Sequence, residues 1–546
     1  MITVNERHTT DLAEARFAAL VTEAETARRR GNWREAASCF LAAAAIQDPA
    51  QAPDNGLTRS HSLTLRAADC HVRGGALGHG WRLVQRLLET SDIQPPTSST
   101  RALLGSTWRR GRFLVKDAEL AGKVETPTPA DERRMIVLNQ AASSLSLVHP
   151  ALADALRTLG LTEVARFGQA SDRCRALASE VAMQTRIGGP FDKSVKKMIE
   201  RCTELAQQTN EPLDEAWRQL ALATYEFSHG RWRSCVEACE RADTIFAELA
   251  DEGLDIAHER ARVAALHWFA LAWLGELVEL RRRLDRRILE AEGHKDSLML
   301  LEALTGQPML VWLAADEVEP VRARTRELLE RQRAVVGAPW PESGYRRQQY
   351  RDLMAEVHAC LYRGDPTPAW AAVVAQWREL ESAFYLPMRM LGLEIRVTRA
   401  RVGLALIEQF DRDPELARAR LLAQSGLGSS SWDRARVLGD VKGLIDQTRR
   451  DPSCVAPGLS SLLGAGLHNL EGRREDAQIS LDAAVREFNS VDMQLHRECA
   501  RYALGELIGG GEGGQLQDQA ETWMRRQKVA YPRKLAASQA PGFGLA

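Results

Sequence analysis

The chain has 546 residues, and its 45% of hydrophobic and 27% of charged residues are typical of a folded, soluble protein. This length exceeds what one compact core usually supports, so we expect several domains or an elongated repeat array. The formal net charge of −1 provides no overall attraction to nucleic acid or to an anionic membrane, and the sequence predicts neither as a partner.

Two further features predict where the protein works. The nine cysteines are odd in number and scattered, which is typical of a reducing compartment. The first residues lack the basic and apolar segments of a signal peptide. The longest apolar run, residues 309–315, is far below the roughly 20 residues that a membrane span needs. We therefore predict a cytoplasmic protein that does not enter a membrane.

From the amino terminus onward, hydrophobic residues recur at positions i, i+3, i+4 and i+7, and no long stretch alternates between hydrophobic and polar residues. This pattern predicts an all-α fold. Segments rich in Gly, Pro or Ser interrupt the pattern at 95–99, 126–129, 337–341 and 426–431. We predict N-terminal helical repeats over 1–125, a central array over 130–335, and a C-terminal array over 345–546 with a Gly-rich connector at 509–514 and a final helix.

A tetratricopeptide-like pattern lies near the amino terminus. A large residue is followed four positions later by a small one, then by a glycine turn, a bulky residue, a small one, an aromatic one and a small one. Small residues let two helices approach closely, and glycine ends the first helix of a pair. The residues in this pattern are Leu20, Ala24, Gly31, Trp33, Ala36, Phe40 and Ala43.

The same spacing returns twice with good agreement and three times loosely. A generic helical hairpin is an alternative explanation for any single copy, but the recurrence favours hairpin repeats stacked into a curved solenoid. Trp232 is then expected to be buried between helix pairs, and Ala24 to lie at a close helix crossing. The good copies contain Ala223, Gly230, Trp232, Cys235, Cys239 and Ala242, and Ala465, Gly472, Ala477, Leu481 and Ala484; the loose ones centre on Gly74, Gly275 and Gly364.

Four short stretches occur in an order that resembles one known group of proteins. They read EFSHGRW at 226–232, LAWLGEL at 271–277, LYRGD at 361–365, and WM at 523–524 followed by APGF at 540–543. This order resembles the C-terminal helical region of large bacterial signalling proteins, in which a serine/threonine kinase domain and an AAA- or STAND-type ATPase precede it. The resemblance runs from about residue 60 to the end. It implies a signalling role and a kinase or ATPase as partner.

No motif in the sequence predicts catalysis, a cofactor or a metal site. The Gly-rich segments at 426–431 and 509–514 lack the residues that hold a phosphate, and we interpret both as loops. Cys235 and Cys239 occupy core positions of a repeat, and His258-Glu259 lacks the second His of a zinc-protease helix. We therefore predict that the protein is not an enzyme. An unrecognised site between helices stays open as an alternative.

The predicted function is protein binding, in a scaffold or sensor arm of a bacterial signalling system. On the concave wall of the repeats we predict apolar anchors at Trp217, Leu220 and Phe227 and a basic flank at Arg28 and Arg29, which would suit an apolar segment with acidic flanks. Packing between repeats is the competing explanation for the aromatic residues. A second hypothesis is that the chain is a detached part of a kinase–ATPase and acts only with its missing modules.

Overall fold

The computed structural model describes residues 4–46, 53–116, 120, 122–188, 192–252, 254, 256–332, 340–342, 344–424 and 432–545. Across these ranges it contains 26 α-helices and no β-strand, which confirms the predicted all-α fold. No helix in this part of the chain is long and apolar enough to cross a membrane. The segment 426–431, which we predicted to be a loop, lies outside the described residues.

The helices follow one another with short connections, and neighbours along the chain pack together. The first half contains α1 (Val4–Arg29), α2 (Trp33–Ala44), α3 (Pro53–Arg73), α4 (Leu77–Thr90), α5 (Ser99–Lys116), α6 (Pro129–Leu145), α7 (Pro150–Phe167), α8 (Ala170–Ile187), α9 (Asp192–Thr209), α10 (Pro212–Ser228), α11 (Trp232–Asp251), α12 (Ala257–Leu274) and α13 (Leu277–Gly293). The second half contains α14 (Ser297–Leu304), α15 (Met309–Ala314), α16 (Val318–Arg331), α17 (Arg347–Arg363), α18 (Pro366–Ser382), α19 (Arg389–Arg412), α20 (Pro414–Leu422), α21 (Arg434–Arg449), α22 (Ala456–Leu470), α23 (Arg474–Ser490), α24 (Gln494–Ile508), α25 (Gly510–Arg526) and α26 (Pro532–Gln539).

Three helix hairpins, α1–α2, α10–α11 and α22–α23, share one pattern of burial. The turn of each contains a glycine with positive φ, namely Gly31, Gly230 and Gly472. This conformation costs glycine little and other residues more, so it ends the first helix sharply. The positions seven before and five, nine and twelve after each glycine are almost fully buried: Ala24, Ala36, Phe40 and Ala43; Ala223, Cys235, Cys239 and Ala242; Ala465, Ala477, Leu481 and Ala484.

The turn of the second hairpin shows how the sequence builds it. Helix α10 begins at Pro212, whose fixed φ suits a first helical position, and ends before Gly230. The amides of Gly230 and Arg231 donate to carbonyls in the last turn of α10, at 3.0 Å each. Trp232 then begins α11 and is only 1% exposed, with its ring centroid 5.7 Å from that of Phe227 and 5.1 Å from that of Trp273. The predicted burial of Trp232 between helix pairs is confirmed.

The glycine-rich segment at 509–514 differs from its prediction. It is not a connector, because helix α25 begins at Gly510 and runs through it. The reason is close packing between α24 and α25. A Cβ atom on Gly505 would lie 2.5 Å from the carbonyl oxygen of Gly513, and one on Gly513 would lie 2.3 Å from that of Gly505. Gly505 and Gly513 are therefore needed at this helix crossing, because a side chain at either position would push the two helices apart.

Helices far apart in sequence also pack together, so the chain folds back on itself. Helix α24 packs on α12, where a Cβ on Gly275 would meet the backbone nitrogen of Leu495 at 2.7 Å. Arg233 on α11 pairs with Asp492 at 3.0 Å, and helix α26 packs against α17. As a result the largest hydrophobic core runs from Leu147 to Leu545, and a second core holds the N-terminal helices. Stacking between nearest neighbours alone does not predict this closure.

Candidate functional site

A cavity lies at the centre of the molecule, where helices α7, α8, α10, α12, α17 and α19 converge. We call it the arginine cavity, because five arginines line it. It offers about 100 Å³ to the centres of water-sized molecules, and a single water needs only about 10–15 Å³ on this measure. Its wall consists chiefly of Arg157, Arg186, Arg262, Arg347, Arg351, Glu394, Tyr350, Gln307, Ser146, Ser179, Met183, Met388, Met390, Phe227 and Phe269.

Each arginine reaches the cavity on a stripe of residues along one face of its helix. In α8 the stripe is Ser179, Ala182, Met183 and Arg186, at spacings of three, four and seven residues. Such spacings place side chains on one face of a helix. The same spacings connect Arg262, Ala265, Leu266 and Phe269 in α12, and Arg347, Tyr350 and Arg351 in α17. The arginines thus occupy positions that a core-facing helix normally gives to hydrophobic residues.

Hydrogen bonds fix the start of α17 against the α6–α7 turn and so bring the second half of the chain to the cavity. The amide of Arg347 donates to the carbonyl of Val148 at 3.1 Å, and the Gln348 side chain donates to the carbonyl of Leu147 at 2.8 Å. The amide of Gly306 donates to the carbonyl of Arg351 at 3.1 Å. Together these hydrogen bonds fix the position of the α17 arginines at the cavity.

Two of the five arginines have a buried carboxylate partner. Arg347 donates twice to Glu302, at 2.9 and 3.1 Å. Arg351 contacts the same carboxylate at 3.3 Å and also donates to the carbonyl of Thr305 at 2.7 Å. Burial alone would raise the pKa of Glu302, but the charges of Arg347 and Arg351 hold it below its usual range. These two arginines therefore share one counter-ion that the protein itself provides.

A third arginine, Arg157, shares its partner. It lies 3.2 Å from Asp154, but Asp154 also accepts two hydrogen bonds from Arg110, at 2.5 and 2.9 Å. Arg110 additionally donates to Glu180 at 2.5 Å and is only 2% exposed. Most of the charge of Asp154 is therefore committed to Arg110 and not to Arg157.

Arg186 and Arg262 have no carboxylate or carbonyl partner among the described residues, although both reach the cavity. Arg262 lies over the ring of Trp217, 5.3 Å from its centroid. Burial and the charges of Arg262, Arg347 and Arg157 lower the pKa of Arg186, and burial and Arg157 lower that of Arg262. Both residues are half-buried, and neither guanidinium has a carboxylate within ion-pair distance in the described structure, although the charges of Asp154 and Glu259 act on Arg186 and Arg262, respectively, from further away.

Two carboxyl groups face this region without neutralising it. Glu394 accepts a hydrogen bond from Gln307 at 2.6 Å and another from Tyr350, and burial raises its pKa. Glu259 accepts from Ser143 at 3.1 Å, and neither forms an ion pair with Arg186 or Arg262 in the described structure. The arrangement can therefore receive a negatively charged group, and its lining provides no obvious means to transform one.

A larger cleft, bounded by helices α3, α6, α7, α8, α10 and α12, adjoins the arginine cavity. We call it the cleft; it offers about 670 Å³ to water-sized molecules. The two spaces share Ser146, Arg157, Ser179 and Arg262. Apolar and polar side chains alternate on the wall of the cleft, which includes Trp217, Leu213, Leu254, Met135, Ile136, Asn139, Gln140, Arg175, Asp69 and His258.

A histidine–aspartate pair on the wall of the cleft is the nearest approach to catalytic geometry. The Nε2 atom of His258 is hydrogen-bonded to Asp69, which also accepts from Arg73 at 2.9 Å, and Arg73 reaches Asp296 at 2.8 Å. Burial would raise the pKa of Asp69, but His258 and Arg73 hold it well below its usual range. The Nδ1 atom of His258 has no partner among the described residues. Nothing in this part of the chain aligns a hydroxyl or thiol with the ring.

The five residues that the sequence predicted as a binding surface lie in different environments. Trp217 is half-buried on the wall of the cleft, and Phe227, 6% exposed, lines the arginine cavity. Leu220 is 1% exposed inside the core, so it is not available as an anchor on an open groove. Arg28 pairs with Glu25 at 2.9 Å, and Arg29 is exposed; neither belongs to the described wall of the cleft or cavity. The structure therefore places Trp217 and Phe227 on the walls of two adjoining spaces and the other three residues elsewhere.

Sequence reasoning missed the cavity arginines. The available signal was an arginine at a hydrophobic position of a helical stripe, as at Arg186 and Arg262. Cys235 and Cys239 are fully buried in the core, as their repeat positions predict, and no group of His, Cys, Asp or Glu that could hold a metal ion occurs in the described residues.

Comparisons with known proteins give no further guide. No protein-family model matches the chain, and no curated protein matches it either.

Proposed function

We propose that this protein is a non-catalytic helical-repeat binding protein that receives a segment of a partner protein in its cleft. One observation supports this proposal above the others: the cleft adjoins the arginine cavity, in which Arg186 and Arg262 have no carboxylate at ion-pair distance among the described residues. The half-buried ring of Trp217, with Arg262 over its face, combines an apolar contact and a cation at the place where the two spaces meet. Such mixed positions are typical of binding hot spots.

The proposed architecture is a set of tetratricopeptide-type hairpins stacked into a curved solenoid that is closed by its C-terminal helices. The matching burial in α1–α2, α10–α11 and α22–α23 supports this assignment. In such arrays the first helices of the pairs form an inner wall that takes up peptide segments. Trp217 on α10 belongs to that wall.

We infer that the partner segment is apolar with an acidic group. Arg175 on the wall of the cleft is engaged by Asp172 at 3.3 Å and Asp214 at 3.6 Å, and Arg157 by Asp154 at 3.2 Å, whereas Arg262 has no carboxylate within ion-pair distance in the described structure. From the resemblance noted above, we propose a kinase or a STAND/AAA ATPase as partner and the cytoplasm as the site of action. The nine free cysteines support a reducing compartment. A detached part of a kinase–ATPase would have the same cleft and partner.

Site-specific photo-crosslinking tests this proposal. The crosslinker is placed at Gln140, which is exposed in the cleft, and in a control at Leu422, which is 85% exposed elsewhere. Crosslinked species are identified by mass spectrometry, and the partner is then produced separately and its binding measured. The proposal predicts one partner that is crosslinked from Gln140 and not from Leu422. Equal labelling from both positions, or labelling from Leu422 alone, would contradict it.

Binding kinetics with the purified partner refine the test. Because Trp217 supplies apolar contact, Trp217→Ala should mainly speed dissociation and weaken affinity by about 2 kcal/mol or more. Arg262→Gln should also reduce the salt dependence of association, because it removes a charge that attracts the acidic group. Leu289→Ala, at a side chain 71% exposed on α13, serves as the matched control. Wild-type kinetics in the Trp217 variant would move the binding surface away from the cleft.

A further inference from the structure

We propose that the arginine cavity is a binding site for a phosphate dianion, either free or carried on a small organic molecule. The residues proposed to bind it are Arg186, Arg262 and Arg157, which all line the cavity. The proposal shares Arg262 with the protein-binding cleft proposed above, but it concerns the inner space and is tested without a protein partner.

The fold leaves the half-buried guanidinium groups of Arg186 and Arg262 without a carboxylate at ion-pair distance among the described residues. A charge taken out of water is costly unless a counter-ion or hydrogen bonds replace its hydration. Other buried arginines in this protein meet that need internally: Arg347 through Glu302, and Arg173 through the carbonyls of Gly168, at 2.9 Å, and Leu120, at 2.6 Å. Arg186 and Arg262 have no such partner in the described residues. The last turn of α8 offers Arg186 a favourable helix dipole, but that effect is worth only about 0.3–1 kcal/mol.

The second step concerns the charge and shape of the missing group. Two unpartnered positive charges are balanced by a dianion, and a phosphate monoester carries about −1.5 to −2 charges at neutral pH. The planar fork of arginine matches the oxygens of phosphate with two parallel hydrogen bonds. Arg157, which only shares Asp154, can contribute a third set of donors. A carboxylate would satisfy one of these arginines and leave the other unpaired.

The third step concerns size and access. The cavity has room for several water molecules, so it admits a phosphate group with a small organic part. Met183, Met390 and Phe269 provide apolar contact for that part, and Ser146 and Ser179 mark the opening to the cleft. Residues from six helices line the site, so a small molecule of this size can contact several of them at once. A phosphorylated side chain of a partner protein would have to enter through the cleft with its backbone outside.

Isothermal titration calorimetry in a phosphate-free buffer tests the proposal. The probes are inorganic phosphate, ribose 5-phosphate, acetate and a phosphoserine peptide. The proposal predicts saturable binding of inorganic phosphate or ribose 5-phosphate with one site per chain, and no comparable binding of acetate. Tighter binding of ribose 5-phosphate would identify an organic ligand, and equal affinities would identify free phosphate. Binding of the peptide without either small probe, or equal binding of acetate, would overturn the proposal.

Variants assign the binding to these arginines. Arg186→Gln and Arg262→Gln should each weaken phosphate binding about 10- to 100-fold, as expected for the loss of hydrogen bonds to a charged group. Arg186→Lys should lose less, because the charge stays and only the fork is lost. Arg449→Gln, at a side chain 63% exposed, is the matched control and should bind like the parent. Circular dichroism melting verifies that each variant is folded. Unchanged affinity in both glutamine variants would overturn the assignment.

Discussion

Two neighbouring groups of arginines beside helices α7 and α8 differ in their partners, and the contrast between them explains the site. In the first environment, Arg110 from α5 is held by Asp154 and Glu180, with nitrogen–oxygen distances of 2.5–2.9 Å. In the second, Arg186 from α8 and Arg262 from α12 have no carboxylate within ion-pair distance in the described structure. In the first environment the fold provides the counter-ion, and the arginine holds helices together. In the second it does not, and the arginines are free to hold something else.

Buried histidines differ from both groups of arginines. A histidine can avoid a buried charge by releasing its proton, whereas an arginine cannot. Burial lowers the pKa of His149 and His267 to about 4 and that of His358 and His496 to about 3, from an ordinary value of 6.5. Below pH 6.5 the unfolded chain therefore binds protons that the folded chain does not. The histidine contribution to stability is complete above pH 6.5 and is lost as the pH falls toward 4.

The largest effect we predict is this acid sensitivity. Each of the four histidines should lower the free energy of unfolding by about 1.4 kcal/mol per pH unit below pH 6.5. Urea unfolding at pH 7.5, 6.5 and 5.5 measures the slope. His496→Gln removes one titrating group, so its stability should fall less steeply than that of the parent. A free energy of unfolding that does not change between pH 6.5 and 5.5 would show that these histidines are not buried as neutral rings.

The second prediction breaks the paired environment. Arg110→Leu should destabilise the protein by about 3–5 kcal/mol, because it leaves the carboxylates of Asp154 and Glu180 buried without their partner. Chemical denaturation measures the loss. Adding Asp154→Asn and Glu180→Gln to the same variant should recover much of it, since no uncompensated charge then remains. If Arg110→Leu were as stable as the parent, the pair would not hold these helices.

The smallest effect is expected in the unpaired environment. Arg186→Gln should change the free energy of unfolding by less than about 1 kcal/mol in phosphate-free buffer, because no native partner is lost. Comparison of Arg186→Gln with Arg110→Leu separates the contribution of the internal counter-ion to the free energy of unfolding from the contribution of burial. A loss as large as that of Arg110→Leu would mean that Arg186 has a structural partner and is not free for a ligand.

The fold could be predicted to the extent that it depends on neighbours in sequence. The hairpin at Gly230 and the burial of Trp232 follow from local spacing, because helix periodicity and a glycine turn act over a few residues. The helix through Gly510 could not be predicted from composition, since Gly513 serves a close crossing with Gly505 that only the tertiary structure creates. Rules based on nearby sequence treat glycine as a helix breaker, because they do not take the neighbouring helix into account.

The site depends on distant parts of the chain, and this is why sequence reasoning found little of it. Arg157, Arg186, Arg262 and Arg347 come from four helices, and the last of them reaches the cavity through bonds between the start of α17 and the α6–α7 turn. No periodicity connects these positions. Trp217 and Phe227 were identified because they are large apolar residues on one helix, whereas Leu220 on the same helix faces the core.

Our central claim is that Arg186 and Arg262 bind an external anion, whereas Arg110 already has its counter-ions, Asp154 and Glu180, within the protein. The most direct measurement is the gain in unfolding free energy on adding phosphate at constant ionic strength. At a phosphate concentration 100 times Kd, the parent should gain about 2.7 kcal/mol by mass action. Arg110→Leu should keep this gain despite its lower stability, and the Arg186→Gln, Arg262→Gln double variant should lose it. The same gain in the double variant and the parent would contradict the account.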